Sequence, residues 1–268
     1  MLWVRVLSAM VGIPLLLLLV YYGGWLLTAA TALVSLLGWR EFYQMAARAG
    51  HKPWFWLGGL GVLSWPVAAY LYSRGIPGFL ILVNIGFLAA TAVGFILYYP
   101  RFGVGDAAVT LWGLLYVGGL FSHLVLIREV NQGFFWVLLA FLITWSNDTA
   151  AFFVGRAIGK RKLAPGISPN KTVEGSVGGL VFGTVVGMAA LYLFPRWGGP
   201  ALPAFWAILL GLLLGAAGQL GDLVESAIKR WAGVKDSGAL IPGHGGVLDR
   251  FDSLLLVLPV LYYCWYFF

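Results

Sequence analysis

The sequence predicts an all-α, polytopic membrane helical bundle of about nine transmembrane helices with a cytoplasmic N-terminus. Three observations predict it. Hydrophobic residues make up 61% of the 268-residue chain and charged residues only 10%, where soluble domains carry about 25% charged residues. Apolar runs recur from one end of the sequence to the other, many of them near the ~20 residues that cross a hydrocarbon core. The basic residues between those runs fall mostly on one side when the spans are counted, as the positive-inside rule requires. Together these imply a single integral membrane domain over 1–268, with N-terminal helices over 1–141 and the chemistry-bearing helices and loops over 142–268.

The apolar runs cover approximately 6–22, 25–45, 54–72, 78–98, 107–127, 134–154, 175–193, 201–223 and 248–268. Residues 6–20, after Arg5, also resemble a signal-peptide core, but no A-x-A-like cleavage site follows, and they are read as the first span. With the N-terminus cytoplasmic, Arg5, Arg40, Arg48, Lys52, Arg101, Arg156, Lys160, Arg161, Lys162, Lys171, Lys229, Arg230, Lys235 and Arg250 lie on the cytoplasmic side. Only Arg74, Arg128 and Arg196 lie outside, a split of 14 to 3 among the 17 Lys and Arg. Nine spans put the C-terminus outside. Trp25, Trp54, Trp56, Trp136, Trp197 and Trp231 stand near span ends and read as interfacial belt residues. Gly175-x-x-Gly178-Gly179 and Gly211-x-x-x-Gly215 read as small-residue helix contacts.

The net charge of +7 is spread between spans instead of forming one basic block, so it describes topology and not nucleic-acid binding. Cys264 is the single cysteine and reads as packing, which excludes an intrachain disulfide and any Cys-based metal cluster. The sequence contains no G-x-x-x-x-G-K-[ST] loop, H-E-x-x-H zinc pattern or G-x-S-x-G elbow. His51 and His123 are isolated and receive no role.

Charge within an apolar span is costly and marks function by default. Three places qualify. Asp148 follows Asn147 late in the span 134–154, roughly 21 Å along a helix rising 1.5 Å per residue. The connection 156–174 holds Lys160-Arg161-Lys162 and then Ser168, Lys171, Thr172 and Glu174 just ahead of a helix. There hydroxyls, an ammonium and free helix N–H groups suit a phosphate, although Glu174 reads equally well as a first-turn helix charge. The third place is the stretch 221–253. Asp222, Glu225, Ser226 and Lys229 are spaced i, i+3, i+4 and i+7 and share a helix face, with a solvated ion-paired face as the plainer reading. Arg230 and Lys235 follow, then a turn through His244, Gly245 and Gly246 whose glycines admit positive φ. A second helix opens with Asp249, Arg250 and Asp252. Asp148, Asp222 and Asp249 all map to cytoplasmic helix ends, where carboxylates hold Mg²⁺ and cations meet a polyphosphate.

The residues SAIKRWAGVKDSGALIPGHGGVLDRFDS, 226–253, resemble the signature of the CDP-diacylglycerol synthase family, also called phosphatidate cytidylyltransferases. SPNKTVEG at 168–175 and WSNDTAAFFVG at 145–155 are similar to two further segments of that family, with Asn170 where a basic residue is common. The resemblance covers roughly 145–253, and the N-terminal spans share only its pattern. It implies a nucleotidyltransferase of phospholipid biosynthesis in the bacterial cytoplasmic (inner) membrane, its active site facing the cytoplasm. The implied reaction is Mg²⁺-dependent: CTP and phosphatidate give CDP-diacylglycerol and pyrophosphate. Carried onto this sequence, Asp222, Asp249 and Asp148 are implied as metal ligands, and with Lys229 as the catalytic set. Ser168, Lys171, Thr172, Glu174, Ser226, Arg230, Lys235, His244, Gly245, Gly246, Arg250 and Asp252 are implied to bind substrate. A second cation such as K⁺ and a homodimer are also associated with the family. Two other functions stay open: a CTP-dependent polyprenol or phytol kinase, and an ion-coupled transporter, whose midplane site and internal repeats are not visible here.

Overall fold

A computed structural model describes residues 2–240 and 245–267, with 2–7 and Ala9 followed by their backbone only. The chain runs through α1 (Leu2–Tyr22), α2 (Gly24–Arg48), α3 (Phe55–Ser73), α4 (Pro77–Tyr98) and α5 (Val104–Gly113). A π-helical turn (Leu114–Gly119) leads to α6 (His123–Glu129), followed by α7 (Gly133–Ile158). A hairpin of β1 (Lys162–Ala164) and β2 (Ser168–Thr172) precedes α8 (Val173–Leu193). After a 3₁₀ turn (Phe194–Trp197) come α9 (Ala204–Trp231) and α10 (Leu248–Trp265).

Among the described residues, six helical stretches are long and apolar enough to cross a membrane: Phe55–Ser73, Pro77–Tyr98, Val104–Glu129, Gly133–Ile158, Val173–Trp197 and Ala204–Trp231. The chain is an integral membrane protein of α-helices. One amendment to the all-α reading is the hairpin inside the expected loop 156–174. It pairs Lys162 with Thr172 and Ala164 with Ser168, because Pro165-Gly166 supplies the turn between them.

The chain forms two compact units, Met1–Glu129 with Ile228–Arg250, and Val130–Ala227 with Phe251–Phe268. In the first, the fully buried Trp39 of α2 lies against Gly58 of α3 and Gly113 of α5. Its indole N–H donates to the Phe55 carbonyl at 2.9 Å. Glycine at those points lets the helices close on an indole that any Cβ would displace. Elsewhere in this unit Arg128 donates to the Val20 and Tyr21 carbonyls. Arg74 pairs with Glu129 at 2.9 Å, and Glu129 accepts the Gly24 N–H at 3.1 Å. Two of the three arginines expected outside, Arg74 and Arg128, therefore tie connections together.

In the second unit α8 packs along α7 through glycines four residues apart, 175, 179, 183 and 187, which face Ala151, Asn147 and Ile143. Gly211 of α9 meets the Thr184 backbone, and Gly215 meets Leu180. The small-residue patterns thus do what their spacing suggests. A Cβ at Gly175 would stand 2.6 Å from the Ala151 carbonyl oxygen and 3.0 Å from the Gly155 Cα. Both are backbone atoms that cannot turn away. Gly175→Ala is therefore expected to destabilise the chain by about 1–3 kcal/mol, read as a lower unfolding temperature in detergent; an unchanged temperature would show that the α7–α8 crossing tolerates a methyl. The belt reading needs one correction. Trp25, Trp56 and Trp197 are exposed, but Trp136 is buried in the core, because it sits one turn inside α7.

Candidate active site

Among the described residues, a close lysine–aspartate pair stands in each unit. In the second unit, Asp222 stands on α9 with its Oδ2 2.6 Å from the Lys171 ammonium, and its Oδ1 accepts the Ser226 hydroxyl at 3.2 Å. That last bond is the i, i+4 relation expected along this helix. Lys171 is placed by β2, and the next residue, Thr172, caps α8 by accepting the Gly175 N–H at 3.1 Å. Turning the chain from strand to helix at Thr172 is what aims Lys171 at α9. Asp148 stands on α7, where the charges of Asp222 and Lys171 act on it. Its neighbour Asn147 is wholly buried and accepts from Gln219 at 3.0 Å, while Gln219 also donates to the Ser176 carbonyl at 2.9 Å. The Ser176 hydroxyl donates back to Gln219. This amide network fixes the rotation of α7, α8 and α9 around the two carboxylates.

Glu174 has an architectural role in the fold, since its carboxylate accepts the N–H groups of Lys160 and Arg161. Those bonds tie the connection after α7 to the first turn of α8, where Glu174 stands. Glu225 is fully buried, which corrects the solvated-face reading of the stretch beginning at Asp222. Ser168 is partly buried on β2.

In the first unit, Lys229 near the end of α9 donates to Asp249 Oδ1 at 2.7 Å, with side chains 13% and 6% exposed. Asp249 Oδ2 accepts the Ser237 N–H at 3.0 Å, the Ser237 hydroxyl at 3.0 Å and the Gly246 N–H at 2.8 Å. Asp249 opens α10 and lies outside the six spans. Burial pushes its carboxyl up, but the Lys229 hydrogen bond and charge, with the Gly246 and Ser237 N–H groups, outweigh burial and hold it below the usual carboxylate range. Gly245 has the positive φ, 84°, that the glycine turn anticipates. Arg230, Lys235 and Arg250 are exposed, leaving their charges at the surface. The Asp252 carboxylate of the second unit accepts the Ser253 N–H at 2.7 Å. His244 lies outside the described residues.

Among the described residues, no group of three or more His, Cys, Asp or Glu is arranged to hold a metal ion. The donor chemistry of Asp148 and Asp222 nevertheless suits Mg²⁺, which is commonly held by one or two carboxylates with water and substrate phosphate completing the shell. Asp249 is different: a metal role for it requires Lys229 to release Oδ1.

A profile of the cytidylyltransferase family matches residues 3–268. The chain belongs to the cytidylyltransferase family. The match takes in both charge clusters and all of the N-terminal helices. A phosphatidate cytidylyltransferase of Synechocystis sp. is 37% identical over 97% of this chain and 94% of its own length. Proteins of the same name from Bacillus subtilis and Staphylococcus saprophyticus are 48% and 49% identical, over 56% and 60% of this chain. Those alignments span only 54% and 60% of the relatives' own length.

Reasoning from sequence missed Glu41, Ser237 and the Asn147–Gln219–Ser176 network. Glu41 carried a usable signal, being the one acid inside the apolar run 25–45, and so met the same criterion that selected Asp148. Ser237 and Gln219 carried none, because a lone serine or glutamine says nothing until its partners are placed.

Proposed function

We propose that this chain is a phosphatidate cytidylyltransferase, joining CTP and phosphatidate to give CDP-diacylglycerol and pyrophosphate. The observation that carries this reading is that the family match extends over both carboxylate–lysine clusters. We place the protein in the bacterial cytoplasmic membrane with nine spans, its N-terminus and both clusters on the cytoplasmic side, where a soluble nucleotide meets a membrane lipid.

In the proposed reaction a phosphate oxygen of phosphatidate forms a bond to the α-phosphorus of CTP. The bond from that phosphorus to the bridging oxygen breaks, and pyrophosphate leaves with the electron pair. Asp222 and Asp148 of the second unit would hold Mg²⁺; Asp249 of the first unit is proposed separately as a metal ligand, available once Lys229 turns away, and a second cation such as K⁺ fits the same chemistry. When bound, the metal supplies charge neutralisation of the polyphosphate. The chain's own cations act in parallel. Lys171 and Lys229 each rest on a carboxylate, and a phosphate oxygen can take over the ammonium from either one. Exchange of one anion for another keeps each lysine paired throughout and ready to oppose charge that develops during transfer. Arg230, Lys235 and Arg250, exposed as they are, serve to attract CTP and the lipid headgroup. Ser168, Thr172, Ser226, Glu174 and Asp252 of the second unit, and separately His244, Gly245 and Gly246, are proposed to bind substrate, and the working form is proposed to be a homodimer.

The test is the fate of labelled CTP. With purified protein, phosphatidate and Mg²⁺, label at the α-phosphate is expected in the lipid product and label at the γ-phosphate in pyrophosphate. A γ-label in lipid would instead mark a CTP-dependent lipid kinase, and substrate flux into liposomes without CTP turnover would mark a transporter.

A further inference from the structure

Glu41 stands in α2, far from both charge clusters in sequence, and only 5% of it is exposed. A buried carboxylate is costly unless hydrogen bonds replace the water it has lost. Here they do. Oε1 accepts the Val247 N–H at 2.8 Å, and Oε2 accepts the Leu248 N–H at 2.9 Å and the Ser237 hydroxyl at 2.9 Å. These donors stand at Ser237 and at Val247 and Leu248, so one carboxylate clasps two segments of the connection between α9 and α10.

The loop is cut to fit this clasp. A Cβ at Gly238 would stand 2.6 Å from Glu41 Oε1, and one at Gly246 would stand 2.5 Å from Oε2. Glycine at these two positions lets the backbone close over the carboxylate. The two N–H groups that Glu41 accepts stand at the start of α10, where the helix has orphan donors and a partial positive charge. Ser237 then connects Glu41 to the reaction machinery, because its hydroxyl lies 3.0 Å from Asp249 Oδ2 and its N–H donates to the same oxygen. The hydroxyl has one hydrogen for two carboxylates, so Glu41 and Asp249 compete for it.

We propose that Glu41 is a positioning residue for the transferase reaction: by clasping Ser237 to Val247 and Leu248 it orients Ser237 and the first turn of α10, and with them the carboxylate of Asp249. This inference rests on the cytidylyltransferase reading for its activity readout, but the clasp itself does not. Supporting shells of this kind typically contribute about 10- to 100-fold to activity when removed.

The experiment compares the parent chain with Glu41→Gln and Ser237→Ala, all full length in detergent. Kinetics with α-labelled CTP are measured beside amide hydrogen exchange. For Glu41→Gln the expected result is a kcat lowered by about tenfold with KM for CTP unchanged. Exchange should be faster at Ser237, Val247 and Leu248 and unchanged in α3. Ser237→Ala should lower kcat while leaving exchange at Val247 and Leu248 as in the parent, because Glu41 still holds both. Parental kcat and exchange in Glu41→Gln would overturn the proposal. Exchange raised equally in α3 would also overturn it, by showing a general role in folding. If Glu41→Gln fails to fold, parental kcat in Ser237→Ala overturns it alone. If the parent itself places no α-label in lipid, the transferase reading fails, while the exchange comparison still decides whether Glu41 holds the loop.

Discussion

Asp222→Asn is expected to lower kcat by about a hundred- to a thousandfold while leaving a chain that stays folded in detergent. The substitution keeps the shape of the side chain and its bond from Ser226, but it removes the charge that pairs with Lys171 and the oxygen pair offered to a cation. Stability should change little. Lys171 and Asp222 are both partly exposed, and ion pairs of that kind contribute about 0–1 kcal/mol. Turnover is the sensitive quantity, because Asp148 would be left as the single acid of its cluster and Lys171 would bind phosphate without a carboxylate to exchange for it. The measurement is kcat against Mg²⁺ concentration, with unfolding temperature recorded for the same samples. Near-parental turnover at limiting Mg²⁺ would remove Asp222 from the metal set.

Hydropathy and charge placement made the membrane class legible, because lipid leaves a strong mark on composition. Helix–helix contacts were legible where the mark was glycine at helical spacing, as in the stripe that begins at Gly175. The site was legible as far as single residues with unusual cost reveal themselves: Asp148 and Asp222 inside apolar spans, Asp249 and the glycine turn just beyond. What could not be read was pairing. Sequence spacing favours Lys229 as the partner of Asp222 or Glu225 along one helix face. The fold instead gives Lys229 to Asp249 and gives Lys171, brought in by a two-stranded hairpin, to Asp222. Both choices depend on long-range placement of backbone, and local periodicity carries no trace of it. Trp136 fails for the same reason, since a tryptophan near a span end looks alike whether it faces headgroups or a neighbouring helix.

Lys229→Met should act on stability and turnover together, in contrast to Asp222→Asn. Methionine keeps the length and apolar stem of lysine but removes the ammonium from a pair that is almost wholly covered. Asp249 then keeps three donors, from Ser237 and Gly246, and loses the Lys229 hydrogen bond that does most to oppose its burial. Removing a charged hydrogen bond of this kind costs about 2 kcal/mol. The pH dependence gives the sharper readout. In the parent, Asp249 titrates below the ~3.9 of an unfolded aspartate. Its contribution to stability is therefore full above that value and is lost only as pH falls through the lower folded value. In the variant burial is opposed by fewer partners, the folded value rises, and the margin narrows or reverses. The variant's stability deficit should then be largest near neutral pH and shrink as pH falls, with kcat lowered at every pH because the ammonium proposed to bind phosphate is gone. Unfolding temperatures recorded from about pH 7 down to about pH 4 decide it. An acid profile identical to that of the parent would mean that Lys229 does not set the charge state of Asp249.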